Sequence, residues 1–160
     1  MMTELQRILI IEDSDAKLAS VIAALQRGVS GFDIQYAKSV KSALKLLRNF
    51  SYSLIVADMS LPTYDVKSRE RGGTARPFGG IEIFDFMTMH SIDTPIVVVS
   101  SYPALVEGGK SLTLSDLAKQ LKGTYPRLFV GCVFFDSAYL TWEVEFQSFV
   151  KDALNGASPT

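Results

Sequence analysis

The chain has 160 residues, 48% of them hydrophobic and 21% charged, which suits one globular domain with its own core and excludes a natively disordered segment. Sixteen Lys and Arg against seventeen Asp and Glu leave a formal net charge of −1, so no global field draws the chain to nucleic acid or to an anionic membrane. Its apolar runs are far shorter than the roughly 20 residues that cross a bilayer, and its first residues lack the features of a signal peptide, so the expectation is a cytoplasmic protein.

Arg7 to Ile11 is an aliphatic run that stops at Glu12, Asp13, Ser14 and Asp15, the pattern of a buried parallel strand ending in carboxylates. From Ala16 to Arg27, Leu18, Val21, Ile22 and Leu25 recur at helical spacing, and Gly28 is available to end the helix. Phe32, Ile34 and Tyr36 alternate with polar residues and predict a half-buried strand. Ser39 then offers an N-cap to a helix with Val40, Ala43, Leu44 and Leu47 on one face. Ser53 to Ala57 is a third strand, and it stops at Asp58.

Residues Thr63 to Gly80 hold four basic side chains, Pro77 and several glycines, with almost no large aliphatic residue, and predict a long basic loop. Ile81 to Met89 reads as a short helix with Ile81, Phe84 and Thr88 on one side. Pro95 to Ser100 is the most apolar strand, and a loop from Tyr102 to Lys110 leads to a helix bearing Leu114, Leu117, Ala118 and Leu121, with Gly123 just beyond. Leu128 to Phe135 is a fifth strand; its Cys132, the single cysteine, reads as a small buried hydrophobe. Thr141 to Leu154 is a final helix with Trp142, Phe146, Phe149 and Val150 inward, and residues 155–160 read as a frayed, disordered tail. The fold class is therefore α/β: one domain over residues 1–154, with a five-stranded parallel sheet, helices on both faces and an insertion at 63–80.

Three strands end in polar residues: Glu12-Asp13, Asp58 and Ser100. In a doubly wound sheet such ends converge on one crevice, where like charges repel unless a cation neutralises them. Carboxylates, a backbone carbonyl and waters suit a hard divalent ion such as Mg²⁺. Taken in order, Ile8-Leu-Ile-Ile-Glu12-Asp13, Leu54-Ile-Val-Ala-Asp58-Met-Ser-Leu-Pro62, Gly79-Gly80-Ile-Glu-Ile-Phe and Pro95-Ile-Val-Val-Val-Ser100-Ser101 resemble the receiver domain of two-component response regulators, from about Arg7 to Leu154. The resemblance implies the flavodoxin-like receiver fold. It makes Asp58 the phosphoacceptor for a phosphohistidine of a sensor histidine kinase or phosphotransferase. Mg²⁺ would be held by Glu12, Asp13, Asp58 and the carbonyl of Ser60, and Ser100 would be the hydroxyl switch that bonds the phosphoryl group. Phe134 or Phe135 would be the aromatic switch.

The chain departs from that pattern in two places. Receivers carry a lysine followed by proline at the end of the fifth strand, whereas this chain reads Val133-Phe-Phe-Asp136-Ser-Ala-Tyr139, with no lysine between Lys122 and Lys151. If Asp136 faced inward it would add a fourth negative charge. The insertion supplies Lys67, Arg69, Arg71 and Arg76, any of which could fold over the site in place of that lysine or else lie in a solvated loop; Lys110 is a weaker candidate. The expectation is a stand-alone receiver, not an enzyme beyond its own phosphorylation and dephosphorylation, that signals by binding a downstream protein, with a homodimer open. The alternative is a phosphorylation-independent pseudo-receiver acting as an interaction module. A phosphohydrolase resembling the haloacid dehalogenases is disfavoured because the residue two beyond Asp58 is Ser60 instead of aspartate. Direct DNA binding is disfavoured because no helix-turn-helix follows the fifth helix.

Overall fold

The structure is a computed structural model, and it describes residues 6–65 and 76–156. Five parallel strands form the central sheet: β1 (Gln6–Ile11), β2 (Phe32–Ala37), β3 (Leu54–Ala57), β4 (Ile96–Ser100) and β7 (Phe129–Phe134), in the order β2-β1-β3-β4-β7. Between them run α1 (Asp15–Gly28), α2 (Val40–Asn49), α3 (Ile81–Met89), α4 (Leu114–Thr124) and the final α5 (Thr141–Asn155). No described helix is long and apolar enough to cross a membrane.

Successive strand residues point to opposite faces of a sheet, and β1 shows the consequence. Leu9 and Ile11 join Ile55, Ala57, Ile96 and Val98 in a core covered by α2, α3 and α4. Ile8 and Ile10 join Leu54, Val56, Val97 and Val99 in a second core covered by α1 and α5. Both faces are dry, which is why the central strands read as continuous aliphatic runs. The chain moves outward from β1 to β2 and returns to place β3 on the other side of β1. That reversal opens a crevice at the carboxyl ends of β1 and β3, where open α/β sheets hold their ligands.

The helix caps explain the element starts. Ser14 accepts from the Lys17 amide at the start of α1, and Ser39 and Ser42 form a reciprocal capping box at α2. In β7, Gly131 leaves room for the Phe149 ring of α5, which a Cβ would meet at 2.4 Å.

Four expectations differ from the structure. The segment after Ser100 is not a plain loop: Ala104–Glu107 (β5) and Lys110–Thr113 (β6) pair antiparallel about Gly108-Gly109, both at positive φ. Leu105 is buried opposite Leu112, which seats this hairpin on the core. In α3 the buried face is Ile83, Phe84 and Met87, while Thr88 faces out and its hydroxyl bonds the Phe84 carbonyl. Gly123 lies inside α4 and does not end it; Tyr125 is the C-cap. At the end of the chain α5 takes in Asn155, and residues 157–160 lie outside the described residues.

Candidate functional site

The backbone sets two carboxylates side by side. β1 and β3 pair in register with Ile11 opposite Ala57, so the next residues, Glu12 and Asp58, leave the sheet together at its carboxyl edge. The Asp58 amide donates to the Ile11 carbonyl at 3.1 Å, and the Glu12 amide to the Ala37 carbonyl at 2.9 Å. The segment beyond Asp58 is clamped by Gly80, whose amide donates to the Met59 carbonyl at 2.9 Å. A Cβ on Gly80 would sit 2.7 Å from the Asp58 carbonyl oxygen, so only glycine permits this approach.

Lys17, in the first turn of α1, fills the space between the two carboxylates. Its ammonium donates to Asp58 Oδ2 at 2.9 Å and to the Val99 carbonyl at 2.7 Å, and it lies 2.7 Å from Glu12 Oε1. The three side chains are buried, with relative exposures of 4% for Lys17, 3% for Glu12 and 5% for Asp58. An ammonium or carboxylate at that depth is tolerable only when paired. The Glu12 Oε2 atom accepts from the amides of Asp13 and Ser14, and Asp58 Oδ1 accepts from the Ser60 amide at 3.2 Å.

The electrostatics point to a second cation. Burial pushes the Glu12 carboxyl up from 4.5 to about 8; the Lys17 ammonium pulls the other way and the Asp58 carboxylate adds to the rise. Glu12, Asp13 and Asp58 each offer an oxygen, all within 4.8 Å of one another. Three carboxylates against one ammonium leave two formal negative charges, the charge a divalent ion would balance. Glu12 Oε1 is buried with the Lys17 ammonium 2.7 Å away as its polar contact. Three hard carboxylate oxygens within reach of one another fit Mg²⁺.

The other residues singled out from the sequence fall in different places. Ser60 follows Asp58 at the mouth of the site. Ser100 ends β4 and is fully buried; its hydroxyl donates to the Tyr102 carbonyl at 3.0 Å and accepts from the Tyr102 amide at 3.1 Å. Phe134 is exposed, pairing with Ser100 in the sheet. Phe135 packs edge-on against Trp142, with ring centroids 4.8 Å apart, and its ring centroid lies 6.0 Å from Lys17 Nζ. The Asp136 carboxylate accepts from the Ala138 amide at 3.0 Å. Arg76 bridges Leu61 in a short antiparallel contact and pairs with Glu82 at 2.7 Å. Lys67, Arg69 and Arg71 lie outside the described residues, and Lys110 is exposed on β6.

Lys17 is the site residue that motif reading misses. Its signal is periodicity: it lies four residues before Val21 and seven before Ala24, on the buried face of α1. A lysine on an apolar stripe, one turn beyond a strand that ends in carboxylates, is a charge in want of a partner.

No protein-family model matches the chain. Among curated proteins it is 26% identical over 144 residues to an uncharacterized protein of Sinorhizobium fredii, covering 89% of this chain and 95% of that one. It is 25% identical over 141 residues to the Detocs response regulatory protein DtcB of Enterobacter cloacae, covering 87% and 94%. Among solved structures it superposes on a CheY-like response regulator receiver domain from Methanospirillum hungatei with TM-score 0.61 at 16% identity, covering 96% of both chains. The receiver domain of HemR from Leptospira biflexa gives TM-score 0.61 at 16% identity, covering 97% and 98%. The RcsB response regulator of Salmonella typhimurium gives TM-score 0.62 at 12% identity; the match takes in 99% of this chain but only 64% of that one. The chain has the flavodoxin-like fold of CheY-type receivers, as its motifs imply.

Proposed function

We propose that the chain works as a receiver in which Asp58 accepts a phosphoryl group from a phosphohistidine of a sensor histidine kinase or phosphotransferase. The observation that carries this reading is the Asp58 carboxylate at the end of β3, clustered with the Glu12 and Asp13 oxygens and paired with the buried Lys17 ammonium. Phosphoryl transfer asks mainly for in-line positioning and for neutralisation of the equatorial oxygens, and such a site offers both.

Glu12, Asp13, Asp58 and the carbonyl of Ser60 would hold Mg²⁺, which when bound supplies positive charge to the phosphoryl oxygens. The chain's own residues do the rest. The Ser60 amide orients one Asp58 oxygen, the Gly80 contact fixes the backbone beneath it, and burial keeps competing water out. Ser100 releases Tyr102 to donate to a phosphoryl oxygen, and because Tyr102 leads into the β5–β6 hairpin, that exchange moves a surface element.

Output is then a change in protein binding, to a downstream protein or to a second copy of the chain, in the cytoplasm where such kinases present their phosphohistidine. The near-neutral charge favours a protein partner over nucleic acid. The receiver turns over no substrate beyond its own phosphoryl group.

The test is to incubate the purified protein with Mg²⁺ and acetyl phosphate and to record its intact mass beside that of Asp58→Asn. A gain of one phosphoryl mass that the variant lacks supports the reading. An unchanged mass in the wild type refutes it and favours the rival, a pseudo-receiver that binds its partner without phosphorylation, for which the Lys17–Asp58 pair would be the finished state.

A further inference from the structure

We propose that Lys17 is the phosphoryl-binding cation of this site, delivered from the first turn of α1 instead of from the end of the fifth parallel strand. The proposal rests on the reading of Asp58 as phosphoacceptor. Its grounds are geometric. The sheet edge where the resemblance calls for a lysine belongs to β7, which ends at Phe134 and is followed by Phe135. The Phe135 amide is fixed on the Ser100 carbonyl at 2.7 Å, and its ring stands over the Lys17 ammonium. The aromatic residue thus walls the position and offers its negative face to a cation that arrives from the opposite helix. α1 and α5 cover the same face of the sheet, so a side chain from either reaches this edge.

Lys17 is also committed to this place. Its stem is buried, its charge is matched by two carboxylates, and the Val99 carbonyl, one residue before Ser100, accepts a further hydrogen bond from it. No described basic residue other than Lys17 pairs with Asp58 or Glu12: Arg76 is taken by Glu82, Arg27 by Glu143 and Lys38 by Asp15. A compact ammonium on a four-carbon stem can follow an oxygen as the charge moves, which a planar guanidinium does less readily.

In the transfer, a bond forms between an Asp58 carboxylate oxygen and phosphorus while the bond from phosphorus to the donor breaks, its electron pair leaving with the imidazole nitrogen of a phosphohistidine or with the acetate of acetyl phosphate. Lys17 gives no proton to this step. It exchanges Asp58 Oδ2 for a phosphoryl oxygen and holds the added negative charge, as a cation preorganised beside the reacting group. Because Lys17 belongs to the turn capped by Ser14, the phosphoryl state is tied to α1.

The experiment compares initial rates of labelling by acetyl phosphate with Mg²⁺, read by intact mass, for the wild type, Lys17→Met and the double variant Lys17→Met/Phe135→Lys, each checked for folding by circular dichroism. We expect Lys17→Met to label about 10²-fold more slowly, the scale on which a single preorganised electrostatic group acts, and the double variant, which returns an ammonium from the β7 side, to recover at least part of that loss. Labelling of folded Lys17→Met at the wild-type rate overturns the proposal while leaving Asp58 as phosphoacceptor. Slow labelling with no recovery in a folded double variant also overturns it, since Lys17 is then structural. A wild type that does not label at all refutes the Asp58 reading, and this proposal falls with it. Should Lys17→Met fail to fold, the double variant decides alone: labelling supports the charge account and its absence contradicts it.

Discussion

The Lys17 ammonium and the Asp58 carboxylate meet at 2.9 Å across 41 residues of chain, both buried, with Glu12 on the other side of the ammonium. The pair ties α1 to the end of β3 and neutralises part of the acidic crevice before any ion or phosphoryl group arrives. On the proposed reading, stability and chemistry depend on the same contact.

Removing one member of a buried ion pair leaves the other uncompensated, at a cost of about 3–5 kcal/mol. Lys17→Met should lose stability on that scale in urea unfolding, and Lys17→Met/Asp58→Asn should recover part of it because one stranded charge has gone. Equal losses in both would mean that the packing of the Lys17 stem, and not its charge, holds the site.

The Glu12 carboxyl gives a pH dependence of defined sign. Its folded pKa of about 8 lies above the ordinary 4.5, so the folded state prefers it protonated, and its contribution is fully present below pH 4.5 and lost as pH rises through 8. In metal-free buffer the wild type should lose stability relative to Glu12→Gln across that window. Parallel curves would contradict it.

Gly80→Ala should cost on the order of 1–3 kcal/mol, the range for overpacking, because its Cβ would press on the Asp58 carbonyl oxygen and on Met59 Cα at 2.9 Å, both of them backbone. The thermal midpoint should fall, and labelling of Asp58 should fall with it. An unchanged midpoint would show that the β3 end yields freely.

Cys132 should be inert. Burial pushes its thiol from 9 up to about 12, and thiolate is the reacting form. Alkylation by iodoacetamide near neutral pH should be much slower in the native protein than in urea. Equal rates would place the thiol in solvent.

Most of the architecture was legible because it is local. β1, β3 and β4 are aliphatic runs closed by polar residues, β2 is an apolar–polar alternation, and the Ser39 cap and the α5 stripe are spacings within a few residues. The convergence of Glu12, Asp13 and Asp58 followed from strand order. The β5–β6 hairpin is hard to see in sequence although Gly108-Gly109 is a strong two-residue turn signal, because strands of four residues each are too short to show a period. In α3 the apolar set Ile81, Ile83, Phe84 and Phe86 surrounds the helix, so sequence could not choose the buried face. Lys17 is hidden for another reason. The receiver pattern places its lysine at the end of the fifth strand, whereas the structure places a cation in the first turn of the first helix. Only the fold brings that turn to Asp58.

The most direct measurement is a crystal structure of the protein with Mg²⁺ and beryllium fluoride, a stable mimic of the phosphoryl group on an aspartate. We expect the fluoride complex on Asp58, with Lys17 Nζ within hydrogen-bond distance of a fluorine and the Phe135 ring still beside it. Beryllium fluoride on Asp58 with Lys17 still held by Glu12 and Val99, or with another basic residue against the fluorines, would contradict it.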